Sequence, residues 1–103
     1  MNKKKTVFVP MSCDLIHEGH LNVIEEAKKY GIVIVGLLTD AAINVYKPLP
    51  VFTFKQRLNI IKNIKGVDRV EQTEDWDYSS ALSRLKPDYI IHGDDWNHNN
   101  QSI

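Results

Sequence analysis

The run Ile32–Leu38, IVIVGLL, carries no polar side chain at any position. A strand with one face in water alternates apolar and polar residues. This run does not alternate, so it must be covered on both faces, as a parallel strand between helices is. At seven residues it is also far short of the ~20 that a membrane helix needs. A second β-branched run, Thr6–Pro10 (TVFVP), suits a central strand. Between the two, Leu21, Ile24, Ala27 and Lys28 fall at helical spacing with Val23 beside them, and Gly31 stands where a C-terminal cap belongs. Strand, helix and strand within about thirty residues make a βαβ unit, with a right-handed crossover expected.

The remainder extends the same alternation. TDAAINVYKPLPVF (39–52) opens with residues that suit a helical turn, but Pro48 and Pro50 force its second half into extended loop. Thr53 and Gln56 then have the spacing of a capping box. The helix they begin, TFKQRLNIIKNI, is expected to bury Phe54, Leu58, Ile61 and Ile64 and to end at Gly66. DRVEQ from Asp68 reads as a weak strand, YSSALSRLK as a short helix with Leu82 and Leu85 inward, and PDYIIHG as another strand. The expected fold is α/β: a Rossmann-like parallel sheet of about four strands with helices on both faces. One domain over 1–96 is expected, followed by a polar tail over 97–103 at a truncation point.

Composition narrows the function. Thirteen basic and thirteen acidic side chains cancel, so bulk charge offers nothing to a nucleic acid or an anionic membrane. Neither is an expected partner, and any polyanion must be held by a local site. The single cysteine, Cys13, has no internal disulfide partner, which fits a reducing cytoplasm. The basic start MNKKKTVFVPM has an apolar run too short for a secretory signal, broken by Pro10.

In open parallel sheets, ligands lie beyond the carboxyl ends of the strands. Met11–His20 leaves the first strand there and enters the first helix. Gly19 allows close approach to the backbone, and the helix start offers free N–H groups and partial positive charge. His17 and His20 are placed to project towards one spot, which makes a phosphate cradle with two imidazole donors. Two alternatives stand beside it. A zinc site lacks a clear third ligand, and nothing else accompanies Cys13 and His17 to support nucleophilic acyl chemistry.

DLIHEGH (14–20) resembles the His-x-Gly-His signature of the nucleotidyltransferase superfamily. The closer resemblance is to cytidylyltransferases of the glycerol-3-phosphate type. It is carried also by LLTD (37–40), FKQR (54–57), HGDDW (92–96) and KGVDRV before the third strand. The opening VPMSCDLIHEGH is most similar to cytidylyltransferase domains linked with phosphonate metabolism. Where the glycerol-3-phosphate enzymes carry Gly-Thr-Phe-Asp, this chain has Met11, Ser12, Cys13 and Asp14.

The resemblance implies transfer of CMP from CTP, with Mg²⁺, to a small phosphate or phosphonate acceptor, releasing pyrophosphate. On that footing His17, His20, Lys47 and Arg57 are the catalytic candidates. Met11, Ser12, Asp14, Gly19, Asp94 and Trp96 are the nucleotide-binding candidates, and no metal-ligand set is expected. Arg57 has a second argument. A cation in a first helical turn meets the unfavourable end of the dipole unless a phosphate or carboxylate lies near. Asp40 and Asp68 are read as structural, and His92, His98 and Cys13 receive no chemical role. The family also implies a homodimer. It normally continues to a Gly-Ile-Ser-Thr-like motif that this chain, ending at Ile103, does not contain. Fold and nucleotide affinity are therefore expected ahead of turnover. An adenylyltransferase of the same superfamily and a non-catalytic nucleotide-binding or dimerisation module are the rival readings.

Overall fold

A computed structural model describes residues 5–11, 18–45, 52–75 and 77–91. Its elements are β1 (Thr6–Met11), α1 (Glu18–Lys28), β2 (Ile32–Leu38), α2 (Asp40–Asn44), α3 (Phe54–Ile61), β3 (Arg69–Thr73), α4 (Ser79–Leu85) and β4 (Tyr89–Ile90). The four strands form one sheet in the order β3-β2-β1-β4. All three neighbouring pairs are parallel.

The unbroken apolar runs are explained by what covers the two central strands. Val7, Val9, Val33, Val35 and Leu37 point to one face, where Val23 and Ala27 of α1 and Ile61 of α3 pack on them. Phe8 and Ile34 point to the other, against Ala81, Leu82 and Leu85 of α4. Leu38 packs there with Ala42 and Ile43 of α2. Gly36 lies on the second face, and a Cβ at that position would overlap the Phe8 ring. The glycine in an otherwise branched strand is thus the space that the phenyl ring fills.

Several local signals resolve as their chemistry predicts and others are refined: α3 ends at Ile61 rather than at Gly66, and of its expected apolar stripe only Ile61 is fully buried, with Phe54, Leu58 and Ile64 half-buried. Thr53 and Gln56 form the capping box: Gln56 N–H donates to Thr53 Oγ1 at 3.2 Å and Thr53 N–H to Gln56 Oε1 at 2.9 Å. Gly31 turns α1 into β2 at φ 154°, where a side chain would collide with the Lys5 carbonyl. Leu21, however, is 42% exposed. The buried stripe of α1 is Val23, Ile24 and Ala27, and at 100° per residue Leu21 lies about 110° round the helix from its centre. In α4 the fully buried residue is Ala81, with Leu82 and Leu85 half-buried around it. Among the described residues no helix is long and apolar enough to cross a membrane.

At the amino-terminal rim, two carboxylates tie the strands together. Asp68, just before β3, accepts from Val33 N–H of β2 at 2.8 Å. Asp88, just before β4, accepts from Thr6 N–H of β1 at 2.8 Å. Asp68 thus has the structural role expected of it.

Candidate functional site

Strand order decides where a ligand belongs. From β1 the chain crosses outwards through β2 to β3, then returns through α4 to place β4 on the far side of β1. The order reverses between β1 and β4, and open α/β sheets bind ligands in the crevice outside the carboxyl ends at such a point. The two strands are paired there: Phe8 is in register with Ile90, and Ile91 N–H donates to Phe8 O at 3.0 Å. The histidine-bearing segment that follows Met11 and the Gly-Asp-Asp-Trp segment that follows β4 therefore leave from adjacent strand ends. The sheet thus makes neighbours of two strands, ending at Met11 and Ile90, that lie at opposite ends of the described sequence.

Of the predicted nucleotide-binding residues, Met11 is the last residue of β1 and is 3% exposed, packed in the core beneath the strand end. Gly19 and His20 lie in the first turn of α1, both half-buried. That turn is where backbone N–H groups have no helical acceptor. Ser12, Asp14, His17, Lys47, Asp94 and Trp96 lie outside the described residues, as do Cys13, His92 and His98. Among the described residues no group of three or more His, Cys, Asp or Glu is placed to hold a metal ion.

Arg57 differs from the expectation of a cation offered to a bound phosphate. It is 1% exposed, and its guanidinium is taken up by the protein. Nη1 donates to Leu38 O at 2.8 Å, Nη2 to Asp40 Oδ1 at 2.7 Å and Nε to Phe52 O at 3.2 Å. The Phe54 ring lies 5.7 Å below, within cation–π range. The dipole argument anticipated a carboxylate beside this cation, and Asp40 supplies it. Asp40 in turn opens α2, whose N-cap Thr39 accepts from Ala42 N–H at 3.2 Å, so its charge also suits that helix end. One side chain thus joins the end of β2, the start of α2 and the approach to α3. Asp40 has the structural role expected of it, but its partnership with Arg57 was not named by the sequence, because an Asp at a helix start is already explained by capping chemistry. Only the fold brings it to a residue seventeen positions on.

The edge strand β3 carries the other charged cluster. Glu71 Oε1 accepts from Arg84 of α4 at 3.0 Å and Glu71 is also paired with Arg69. Burial pushes the Glu71 carboxyl up, but the hydrogen bonds from Arg84 and Arg69 and their positive charges outweigh it and hold it below the ordinary glutamate value. The exposed Asp77 carboxyl is lowered by accepting from the backbone N–H of Ser79, then from its side chain.

A profile of the cytidylyltransferase-like family matches residues 11–101. The chain is 37% identical over 95 residues to the FAD synthase of Methanothermobacter marburgensis, covering 88% of this chain and 59% of that protein. It is 34% identical over 98 residues to the bifunctional protein HldE of Helicobacter pylori, covering 92% of this chain and 21% of that one. The chain thus spans about three fifths of the FAD synthase and a smaller part of the bifunctional protein. Among solved structures it resembles the lipopolysaccharide core biosynthesis protein from Thermoplasma volcanium, with a TM-score of 0.80 and 28% identity over 86% of this chain and 74% of that one. Fold, motif order and profile agree: the chain belongs to the cytidylyltransferase-like family of the nucleotidyltransferase superfamily.

Proposed function

We propose that this chain transfers a nucleotidyl group from a nucleoside triphosphate to a small phosphate or phosphonate acceptor. The observation that carries the proposal is the pairing of β1 with β4. It makes neighbours, at the switch point, of the two strands that the histidine motif and the Gly-Asp-Asp-Trp motif follow in sequence. An acceptor oxygen attacks the α-phosphorus, the bond from that phosphorus to the bridging oxygen breaks, and pyrophosphate leaves with the electron pair. No covalent enzyme intermediate is needed, so catalysis is positioning and neutralisation of charge on phosphate oxygens. His17 and His20 donate hydrogen bonds to the triphosphate as that charge develops. Lys47 steers the acceptor or a phosphate. Asp14 and Asp94 organise the site, Trp96 packs beside the nucleotide, and Met11, Ser12 and Gly19 line its approach. Arg57, enclosed by Asp40, Leu38 and Phe52, serves as a positioning residue for these elements. Magnesium arrives with the triphosphate as part of the substrate.

The nucleotide is CTP on the resemblance of FKQR and HGDDW to cytidylyltransferases. ATP is the second reading, because the relatives at 34–37% identity over most of this chain include FAD synthases, and making FAD from FMN adds an adenylyl group. The homodimer and the cytoplasmic setting are further proposals resting on the family resemblance and on cysteine usage.

The test is pyrophosphate release with CTP or ATP against glycerol 3-phosphate, 2-aminoethylphosphonate, phosphocholine and FMN. CTP-dependent release with one acceptor supports the first reading, and release with ATP alone replaces it. No release with any pair defeats the transferase proposal. Replacing His20 by Ala is expected to lower kcat by about 10²–10³-fold while circular dichroism shows the fold retained.

A further inference from the structure

α2 has five residues, well below the length at which a helix sustains itself in water, so tertiary contacts must set its direction. Its amino end is pinned twice. Thr39 N–H donates to Thr73 O of β3 at 3.0 Å, and Asp40 meets Arg57 of α3. Two bonds at one end fix a pivot rather than a tilt. The inner face of the helix, Ala42 and Ile43, packs with Leu38 and against the ring of Tyr78.

Tyr78 reaches that face under strain. Its backbone is left-handed, φ 57° and ψ 18°, where a Cβ crowds the carbonyl and only glycine sits without penalty. The turn into α4 holds it there. Tyr78 N–H donates to Asp75 O at 3.0 Å, Tyr78 O accepts from Leu82 N–H at 2.9 Å, and the Asp77 carboxylate accepts from Ser79 N–H at 3.1 Å. A glycine would make the same turn, so what the strained residue contributes is its side chain. The ring stands edge-on to Phe8, with centroids 5.9 Å apart, and Phe8 in turn fills the space over Gly36. The same ring packs beside Ala81 of α4 on one side and on Leu38, Ala42 and Ile43 on the other. A column of contacts thus runs from the centre of the sheet through Phe8 and Tyr78 to α2.

We propose that Tyr78 is a positioning residue for the acceptor: its ring sets the tilt of α2, and with it the course of the segment that carries Lys47, three positions beyond Asn44. The part played by Lys47 rests on the transfer reaction proposed above, whereas the clamp on α2 stands on the packing alone. The ring touches no reacting atom in this role. It governs where the acceptor is offered to the α-phosphorus, and a small misplacement slows an oriented reaction steeply. On the same reading the nucleotide is held by the segments after β1 and β4, so its binding is indifferent to the ring.

Amide hydrogen exchange reads the clamp without turnover. Tyr78→Ala removes the ring and keeps a side chain on the left-handed backbone. Tyr78→Gly removes ring and strain together, so it should melt above the alanine variant. In both, amides 42–45 are expected to exchange about tenfold faster than in wild type while those of 33–37 hold. In turnover with the acceptor that the panel above identifies, both should lower kcat/KM for that acceptor about tenfold at an unchanged nucleotide KM. Tyr78→Phe, which keeps the ring, should behave as wild type in every measurement. Equal acceptor loss in two variants of unequal Tm is a result that general destabilisation does not give. Faster exchange at 42–45 with no pyrophosphate release from the wild-type protein upholds the clamp and rejects the transfer reading together with the acceptor role drawn from it. The proposal is overturned if both variants exchange at 42–45 as the wild type does, or if the acceptor defect shrinks in the glycine variant in step with its Tm. It is equally overturned if the nucleotide KM rises with that of the acceptor, or if Tyr78→Phe behaves as Tyr78→Ala.

Discussion

Arg57 holds an interior position that a cation can occupy only with partners. Removing a guanidinium from water costs several kcal/mol unless its donors and its charge are both met. Two carbonyls, one carboxylate and a phenyl face do so here. Asp40 is therefore a stability residue as well as a helix opener. Asp40→Asn keeps the shape and removes the negative charge that lies 2.7 Å from the guanidinium. It is expected to lower unfolding stability by about 1–3 kcal/mol, the range for a buried group left short of its partner. Urea denaturation measures this, and an unchanged midpoint would show that the charge of Arg57 is met elsewhere. The pattern FKQR marked Arg57 as important from sequence, yet the direction in which it points was not legible. A phosphate outside and a carboxylate inside satisfy the same dipole argument, and only tertiary structure chooses between them.

At the level of elements, α3 and β3 are held by different physics. The start of α3 is fixed locally by Thr53 and Gln56, whose reciprocal bonds satisfy backbone donors that a helix start otherwise leaves open. Thr53→Ala should cost about 1 kcal/mol, read as a lowered thermal midpoint with the native fold intact. This feature was fully legible, because both partners lie within three residues of each other. β3 depends instead on a strand-to-helix ion cluster around Glu71. The carboxyl of Glu71 titrates below its ordinary value of 4.5 in the folded protein. Its contribution is thus fully present above about pH 4.5 and is lost as pH falls through the lower folded value. Arg69 and Arg84 are more than half exposed, so the effect is below about 1 kcal/mol and shrinks with salt. A series of thermal melts from pH 6 to pH 3 should show Glu71→Gln to be destabilised at the upper end. The difference from wild type should disappear at the lower end.

For the whole molecule, hydrophobic pattern alone announced a parallel sheet covered on both faces, because seven consecutive apolar positions admit little else. It also placed each strand and helix close to where it stands. What it left open was adjacency. β4 has two residues in the ladder, too short a segment for its own sequence to name a neighbour, and its place beside β1 comes from tertiary packing. The site inherits that gap: the histidine motif follows β1 and HGDDW follows β4 in sequence, but that these two strands are neighbours is seen only in the strand order.

Asp68 and Asp88 give the sheet a division of labour. Each lies at the rim opposite the ligand crevice, where it locks one strand to the next by a side-chain-to-backbone bond. A slip of one residue would turn every apolar side chain of a strand to the wrong face, and these bonds guard against it without using any atom of the carboxyl rim. The strand register is accordingly indexed from the rim opposite the carboxyl ends. Transplanting the segment between β1 and α1, or the one after β4, from a relative with another nucleotide preference should change the chemistry and leave the strand register as it is.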